Sequence, residues 1–427
     1  GRTRQAELPV VIDPQREGSP SFPDSTSAIM FAGRGYVGAR ILLAEDGKRG
    51  STVISLTSAD PLKTGDRLLI CGPPAQRWKD LTRNKCKWGT YREYIVAITA
   101  IVGNTVTIEQ PLRLEFPTID GSYVQKLDMI ERCGVEDIAI EQTENLWINS
   151  VTFQYGWQCW ARNVHVKMAG RFPVHAARAK WCEIRNCVFD DAWFKGGGGT
   201  AYAGWQHSFD CLIDGLETFN YRHAPLFQWA TSGCVIRNGI FHNSDAQWHA
   251  GWTNENLMEN CIVASKKGYG GYGFGMWASP PEDTAHGPNG PRNVVYNCDV
   301  HSEKDGLWMG GMNENWLILH NRFVVQKGVG VFAKTASFDH IIQNNVFVLQ
   351  DGKSPAIRLA TPDCVGVEAT GNHLYGGSGT FAGGALKLHL NENNECLPLP
   401  ADLPPRPTAI VPSIYEWQRQ HAAPLGK

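Results

Sequence analysis

The sequence predicts an all-β protein, a parallel β-helix of about ten turns with a small β-rich insertion near its N-terminus. Three observations predict this solenoid: a recurring phrase with a period in the low twenties, strand-like alternation within each copy, and a composition rich in Gly and Trp. Gly and Trp occur 45 and 15 times in 427 residues, a usage that argues against a helical protein. A unit this short cannot bury an apolar face alone, so successive copies must stack on one another.

The recurring phrase combines apolar residues, a polar residue, an Asn and then alternating apolar residues, as in residues 184–189 (IRNCVF). Asn suits a sharp bend between two strands because it tolerates the left-handed backbone conformation, and stacked Asn side chains can hydrogen-bond from turn to turn. The Asn, or the residue in its place, marks ten positions: Asn149, Asn163, Asn186, Gly215, Asn238, Asn260, Asn297, His320, Asn344 and Gly371. Leucine-rich repeats share the period, but their Leu-x-x-Leu-x-Leu pattern is missing from the sequence.

Half of the twelve cysteines follow the same repeat. Three lie four residues before a marker and three lie one residue after it: Cys182, Cys211 and Cys234, then Cys187, Cys261 and Cys298. Small side chains that recur in two columns of a solenoid are expected inside it as buried free thiols, not as a disulfide framework. Cys71 and Cys86 lie in a polar, loop-like region and are the better candidates for a disulfide.

Four parts are expected along the chain. Residues 1–49 form an N-terminal segment and cap, and residues 50–130 form a β-rich insertion, because 65–70 and 103–108 resemble hairpin strands. The parallel β-helix covers residues 131–396. Residues 397–427 form a Pro-rich C-terminal tail that packs on the solenoid.

Charge and hydropathy limit the expected partners. The formal net charge of -2 gives no overall attraction for nucleic acid. No apolar run approaches the roughly 18 residues that a membrane helix needs. The sequence therefore predicts neither nucleic acid nor a membrane as a partner, and it leaves the oligomeric state open. No signal peptide is visible, so the chain is expected to begin after a processed leader or a trimmed end.

Between about residues 130 and 375 the chain resembles the pectin-lyase-like superfamily of right-handed parallel β-helices. The resemblance depends on the Asn-marked turns, on "GVEDIAIE" (134–141) and on "NLWINSVTF" (145–153), which is similar to the first-turn phrase of pectate lyases. "NYRHAPLF" (220–227) is similar to the Arg-His-Gly phrase of alginate lyases and chondroitinase B, with Ala224 in place of Gly. The resemblance implies a right-handed helix in a secreted, extracellular or periplasmic enzyme that acts on an acidic polysaccharide, without assigning a specific enzyme family.

The densest polar cluster predicts the catalytic centre. It consists of Tyr221, Arg222, His223, Asp245 and His249, with His207 one turn earlier. β-Elimination on a uronate needs a group that neutralises the carboxylate, a base and an acid. Arg222 or a bound Ca²⁺ could neutralise the carboxylate, and His223, His249 or Tyr221 could act as the base. The reaction requires no cofactor, so Ca²⁺ is an optional participant.

Substrate binding is predicted from cations and aromatic residues. Residues 160–185 are rich in Arg and Lys, and a stripe of cations that includes Arg178 and Lys180 would suit the carboxylates of a uronate polymer. The strands before the markers carry Trp, Gln and His, and Trp side chains on neighbouring turns could stack on successive sugars. The expected exposed set is Trp205, Trp252 and Trp308, and Gln228 is a further predicted substrate-binding residue. The same residues could instead be ordinary surface charges and core aromatics.

Two alternatives to a polysaccharide lyase remain open. The first is a glycoside hydrolase on the same scaffold, which would use two of Asp190, Asp191, Asp245, Glu303 and Asp305. Each of these residues could equally be a turn or strand-end residue. The second alternative is a non-catalytic glycan-binding or adhesin solenoid, because the fold alone does not decide function.

Overall fold

A computed structural model describes residues 27–83, 92–196, 199, 201–249, 251–269, 271–278 and 286–421. The described chain coils into a parallel β-solenoid whose turns carry strands on three sides. The first sheet contains eleven parallel strands: Ser27–Ala32, Asn149–Gln154, Val174–Ala177, Tyr202–Gln206, His223–Gln228, Asp245–His249, Met276–Ala278, Leu307–Met309, Val331–Ala333, Ile357–Leu359 and Ala382–Gly383. This agrees with the prediction of about ten turns.

The second and third sheets meet at a bend within each turn. In the first two turns a single bent strand belongs to both sheets, Gly134–Glu141 and then Trp160–Ala169. The second sheet continues as Glu183–Arg185, Leu212–Asp214, Val235–Arg237, Leu257–Glu259, Val294–Tyr296, Leu317–Leu319, Ile341–Gln343, Glu368–Thr370 and Leu390–Glu392. The third sheet continues as Val188–Ala192, Glu217–Phe219, Ile240–His242, Ile262–Ala264, Asp299–Ser302, Arg322–Val325, Val346–Leu349, His373–Gly376 and Glu395–Leu397.

The marker residues occupy the bend between these two sheets. Nine of the ten predicted markers have a positive φ, from 48° at Asn163 to 71° at Gly215, as the left-handed bend requires. The tenth, Asn149, is wrong, because it begins a strand of the first sheet and lies outside the bend. Asp137 makes the bend in that turn, with a φ of 54°, and its carboxylate accepts a hydrogen bond from Asn163 Nδ2 at 2.7 Å. The predicted bonding from turn to turn is therefore present here and again where Asn297 donates to Asn260 at 2.7 Å.

The core inside the coil contains the predicted cysteine columns. All six of the assigned cysteines are buried and free of disulfides, as expected. In the first column the backbone N–H of each residue points at the sulfur of the next turn, from Cys182 to Cys211 and from Cys211 to Cys234, both at 3.3 Å. Cys71 is also buried, and Cys86 lies outside the described residues, so their disulfide stays a prediction.

A six-stranded antiparallel sheet forms the N-terminal β-rich region and begins at Gly35, ahead of the predicted boundary at residue 50. Its strands, in spatial order, are Gly35–Leu42, Tyr123–Asp128, Arg67–Gly72, Arg92–Val102, Thr105–Ile108 and Val53–Ser55. The short helices Gln76–Leu81 and Thr118–Asp120 accompany it. This sheet packs on the corner of the coil between the first and second sheets, where short strands also pair: Ile130–Glu131 with Gly156–Trp157, and Met312–Glu314 with Ala336–Phe338 and Cys364–Val365.

The C-terminal residues return along the coil. Arg322 donates a hydrogen bond to the carbonyl of Pro404 at 2.7 Å, and Tyr296 donates one to Val411 at 2.6 Å. The last described element is the helix Ile414–His421, whose first N–H donates to the buried carboxylate of Glu259 at 2.7 Å. In the described part of the chain, no helix has the length and apolar character needed to cross a membrane.

Candidate functional site

The outward face of the first sheet holds the candidate site. Side chains alternate along each strand, so Ala203 and Trp205 point into the core while Tyr202 and Gln206 point outward. The register places Tyr202 opposite His223 on the next turn, and His223 opposite Asp245 on the turn after that. Three outward side chains from three non-adjacent parts of the sequence therefore lie in one column.

His223 and Asp245 form a buried pair. Nδ1 of His223 lies 2.5 Å from Oδ1 of Asp245, and neither side chain is exposed. Burial lowers the pKa of His223 well below its usual value, helped by the nearby Arg222 cation, and burial raises the pKa of Asp245. Both shifts favour the uncharged pair, in which the Asp245 acid donates to Nδ1 and the proton of the imidazole is on Nε2. That Nε2 is buried and has no hydrogen-bond partner within the described protein.

His249 lies beside this pair on the same turn as Asp245. Its ring centroid is 6.0 Å from that of His223, and the Tyr202 ring is 4.9 Å from His223 and 5.6 Å from His249. Burial and the neighbouring imidazole of His286, 4.3 Å away, lower the pKa of His249. The lowered pKa keeps this imidazole uncharged at neutral pH. Its Nδ1 atom is buried and has no partner among the described residues.

Arg222 and Tyr221 precede His223 and point in different directions. The half-buried Arg222 guanidinium lies 5.8 Å from the Tyr202 ring and donates a hydrogen bond to the carbonyl of Gly196. Tyr221 has no exposed surface and belongs to the core inside the coil, 6.5 Å from the Phe189 ring. Its predicted position in the catalytic cluster is therefore wrong, since its hydroxyl faces the wrong side of the sheet.

Gly271 and Tyr272, in the Gly-rich stretch 267–275, cover the pair. A Cβ added to Gly271 would lie 3.3 Å from Asp245 Oδ2, a tight contact, so the backbone of Gly271 passes close to this carboxylate. Next to it, Tyr272 is exposed and packs edge-on against Trp277, with ring centroids 4.8 Å apart. The Trp277 ring lies 5.8 Å from His223. This segment therefore forms a wall of the site.

An aromatic stripe extends from Trp277 along the coil. The register places Trp277 opposite Trp308 and Trp308 opposite Phe332 on successive turns, and Arg358 follows on the next turn. Trp308 and Phe332 are partly exposed, and their ring centroids are 5.3 Å apart. Trp308 is thus the one member of the predicted Trp set that faces outward with accessible surface.

Two further predicted residues, Arg178 and His207, lie just after strands of the first sheet and contact the same carboxylate. His207 Nδ1 lies 2.8 Å from a carboxylate oxygen of Glu93, and Arg178 lies 3.8 Å from the other oxygen. Glu93 belongs to the N-terminal sheet and is buried. His207 is therefore separated from the predicted cluster, in which it was expected. Gln228 lies between the two groups and donates to Gln206 at 2.5 Å.

Three predicted binding residues are inside the protein. Lys180 has no exposed surface and pairs with Asp210 at 2.7 Å under the N-terminal sheet. Trp205 is fully buried in the core, and Trp252 packs on Trp78 of the N-terminal region, with ring centroids 5.5 Å apart. The expected exposure of these side chains is wrong, because Trp205 follows the inward alternation and the other two are covered by the N-terminal sheet.

The expected stripe of cations is neutralised by acidic neighbours. Arg162 lies within 4 Å of Glu136 and Glu183, and Lys167 pairs with Glu141 at 2.9 Å. These pairs lie on the second and third sheets. The basic stretch is thus a paired surface ladder, the alternative reading of the sequence.

The carboxylates required by the hydrolase alternative make structural contacts. Asp191 pairs with Lys195 at 2.5 Å, and Glu303 accepts the backbone N–H of Lys267 at 3.0 Å. Asp305 lies two turns beyond Asp245. Its carboxylate accepts the N–H of Val329, which lies one turn beyond Asp305, at 2.8 Å. Its carboxylate therefore points away from Asp245. Asp190 is half-buried on the third sheet.

Among the described residues, no group of three or more His, Cys, Asp or Glu side chains is arranged to hold a metal ion. The optional role of Ca²⁺ stays a prediction.

The comparisons with known proteins concern the fold. A family model described as the right handed beta helix region matches residues 174–347. The chain is a right-handed parallel β-helix. The match confirms the predicted resemblance at the level of the fold, including the right-handed coil. It assigns no specific enzyme family. No curated protein matches the sequence of this β-helix.

Solved structures similar to this β-helix include two phage tailspikes and an epimerase module. The tailspike protein gp49 from Pseudomonas phage LKA1 has a TM-score of 0.55 and 15% identity, over 87% of this chain and 65% of its own. The Gp54 tailspike of Acinetobacter baumannii bacteriophage AP22, in complex with capsular saccharide, has a TM-score of 0.48 and 12% identity, over 87% and 62%. The A-module of the Azotobacter vinelandii mannuronan C-5 epimerase AlgE6 has a TM-score of 0.43 and 10% identity, over 64% and 76%.

The chain spans less than two thirds of the length of either tailspike. At 15% identity, the likeness to the gp49 tailspike shows a shared fold alone.

Sequence reasoning missed several residues of the site. The register places three unpredicted residues opposite predicted ones: Tyr202, Trp277 and Phe332. None of the three belongs to the polar cluster between residues 221 and 249. Counting residues from each marker would have aligned these three positions with the predicted ones on neighbouring turns. Glu93 could not have been found this way, because it comes from outside the repeat.

Proposed function

We propose that the outward face of the first sheet binds an acidic polysaccharide and cleaves it by β-elimination, in an enzyme that works outside the cell. One observation carries this proposal: two buried imidazole nitrogens, Nε2 of His223 and Nδ1 of His249, have no partner among the described residues and belong to rings 6.0 Å apart. Buried polar atoms without partners are costly, so they indicate a place where a ligand supplies the partner.

Roles follow from the protonation states. His249 is neutral and takes the proton from the carbon next to the uronate carboxylate, which makes it an imidazolium. A double bond forms to the neighbouring carbon as its bond to the glycosidic oxygen breaks. That oxygen takes the Nε2 proton of His223, while Asp245 passes its own proton to Nδ1 and is left as a carboxylate. The starting state returns when the proton of His249 passes to Nε2 of His223 and the Nδ1 proton of His223 passes back to Asp245.

Arg222 supplies the positive charge that this reaction needs. A carboxylate held by a guanidinium makes the adjacent C–H more acidic, because the charge that develops on the carboxylate is stabilised. The stripe formed by Trp277, Trp308 and Phe332 extends the site along the coil, with one aromatic ring per turn. Turns are about 4.8 Å apart, close to the length of one sugar unit. Because His223 is fully covered, the polymer reaches it when the backbone at Gly271 and Tyr272 moves aside.

A panel of uronate polymers tests the proposal. Elimination leaves a conjugated double bond that absorbs ultraviolet light, whereas hydrolysis gives new reducing ends without this absorbance. We expect absorbance to grow with at least one polymer, and we expect His249→Ala to remove it while His165→Ala, at an exposed position on the third sheet, does not. Reducing ends alone would establish the hydrolase, and binding without either product would establish a glycan-binding solenoid.

A further inference from the structure

A second groove runs along the outward face of the second sheet, away from the His223 pair. It encloses about 950 Å³, a size typical of ligand sites. One column of six side chains in register lines it, one from each successive turn: Trp160, Glu183, Leu212, Val235, Leu257 and Val294. With turns about 4.8 Å apart, the column is about 24 Å long. The groove is therefore elongated and parallel to the axis of the coil.

The two long walls come from opposite ends of the chain. Gln110 and Arg113 of the N-terminal region form one wall, and the helix Ile414–His421 forms the other, with Tyr415 and Gln418 facing the cavity. Both walls are fixed to the coil, since Arg113 pairs with Asp210 and the start of the helix is held by a buried carboxylate. A groove bounded in this way is formed before any ligand arrives.

The charges in the groove compensate one another. Arg113 contacts Asp210 and Glu255, Arg292 pairs with Glu255 at 2.7 Å, and Arg162 lies 3.7 Å from Glu183. A polyanion would gain little here, because each of these guanidinium groups already has a carboxylate. Hydroxyl groups can donate to the carboxylate and accept from the guanidinium of one pair, so the walls suit an uncharged ligand rich in hydroxyl groups.

The floor of the groove has an apolar side chain that recurs once per turn of the coil. Leu212, Val235 and Leu257 present one apolar side chain per turn, and the partly exposed Trp160 and Trp181 form one end. Sugar rings have apolar faces and an extended glycan advances by about one ring per turn of the coil. An extended peptide advances about 3.3 Å per residue and would fall out of step with this floor.

We propose that this groove binds an extended, uncharged oligosaccharide of about five sugar units, at a site separate from the one on the first sheet. Its rings pack on the apolar column and its hydroxyl groups bond to the paired side chains of the walls. The proposal does not depend on the elimination reaction, because no residue of the groove belongs to that site.

Calorimetric titration tests it with linear pentasaccharides of glucose, mannose and N-acetylglucosamine, and with tetragalacturonate as the charged comparison. We expect at least one uncharged pentasaccharide to bind, and Gln418→Trp to weaken that binding by about tenfold or more because the larger side chain enters the groove. Gln420→Trp is the matched control on the same exposed helix, and it should leave the binding unchanged. Val235→Trp fills the floor and should have the same effect as Gln418→Trp, with thermal melting to show that the variant folds.

Three results would overturn the proposal: no binding of any uncharged pentasaccharide, equal binding by the Gln418→Trp variant, or tighter binding of tetragalacturonate that Gln418→Trp abolishes. Binding that persists in His249→Ala and is lost in Gln418→Trp separates this groove from the first sheet, whatever the outcome for elimination.

Discussion

The first and second sheets belong to the same coil, yet their outward faces differ in how polar groups are satisfied. On the first sheet, buried imidazole nitrogens at His223 and His249 have no partner in the described protein. On the second sheet, charged residues such as Arg162 and Arg185 are paired with acids on their own or neighbouring turns. Titratable side chains thus have different roles on the two faces.

A candidate reactive face is therefore recognised by polar side chains that lack partners, more than by which residue types it contains. A paired ion on the surface contributes little to the free energy of folding. A buried polar atom without a partner destabilises the free protein, and a bound ligand can supply the missing hydrogen bond. The following changes test this contrast, in order of decreasing expected effect.

Replacing His223 should have the largest effect. His223→Ala removes the group that protonates the leaving oxygen, and general acid–base catalysis is worth about 10²- to 10⁴-fold. Initial rates from ultraviolet absorbance measure the loss. If the variant keeps the full rate on a polymer that the protein cleaves, the buried pair has no catalytic role.

Removing one partner of the buried pair between Lys180 and Asp210 should destabilise the protein strongly. Lys180→Met leaves Asp210 with one cation fewer under the N-terminal sheet, and breaking such pairs costs about 3 to 5 kcal/mol. Denaturant unfolding measures the free energy. A change below about 1 kcal/mol would show that Arg113 alone satisfies the carboxylate.

Acidification should destabilise the folded state through buried imidazoles. Burial lowers the pKa of His286 to about 4 and that of His340 to about 3, against 6.5 for the unperturbed side chain. The unfolded chain therefore binds protons that the folded chain does not, so stability is complete above about pH 6.5 and falls below it. Each group contributes about 1.4 kcal/mol per pH unit between these pKa values.

Unfolding by denaturant at pH 7 and pH 5 measures this slope. His340→Asn should reduce it, because Nδ1 of His340 accepts the Trp316 N–H only in the neutral form, whereas Nε2 donates to Asn313 in either form. A slope unchanged by His340→Asn would contradict the assignment.

Truncating the aromatic stripe should weaken binding with little effect on folding. Trp308→Ala removes a partly exposed ring between Trp277 and Phe332, and we expect about tenfold weaker polymer binding, equivalent to about 1.4 kcal/mol. Affinity is measured by titration with a polymer that the protein binds. Equal affinity in the variant would place the polymer elsewhere.

The smallest effect is expected at the paired ladder. Arg162→Ala removes an exposed cation that contacts Glu136 and Glu183, so stability should change by less than about 1 kcal/mol, and the acidic polymer should bind to the first sheet as before. A large loss of binding would show that the cations of the second sheet contact the polymer after all.

The sequence was sufficient to predict the coil because one backbone requirement repeats in every turn. A left-handed bend favours Asn, Asp or Gly, and the markers follow it from Asn163 to Gly371. The failure at Asn149 has the same cause: Asp137 satisfies the bend equally well, so the phrase around Asn149 matched by composition alone.

The site was harder to predict because side-chain direction depends on strand phase and on packing by remote segments. His223, Asp245 and His249 were found together because they are close in sequence and share one face. Trp205 lies on the inward phase of a strand with a register shift, which residue spacing does not reveal. Lys180 and Trp252 are covered by the N-terminal sheet, whose docking position no local pattern encodes.

The N-terminal sheet has a consequence for cooperativity. In a solenoid each turn contacts only its neighbours, so the ends can fray one turn at a time. Here Trp78 packs on Trp252, Lys180 donates a hydrogen bond to the carbonyl of Ile95 at 2.8 Å, and Arg83 pairs with Asp363. These contacts tie one folded sheet to early, middle and late turns at once, so the loss of that sheet and the unravelling of the coil should occur as one transition.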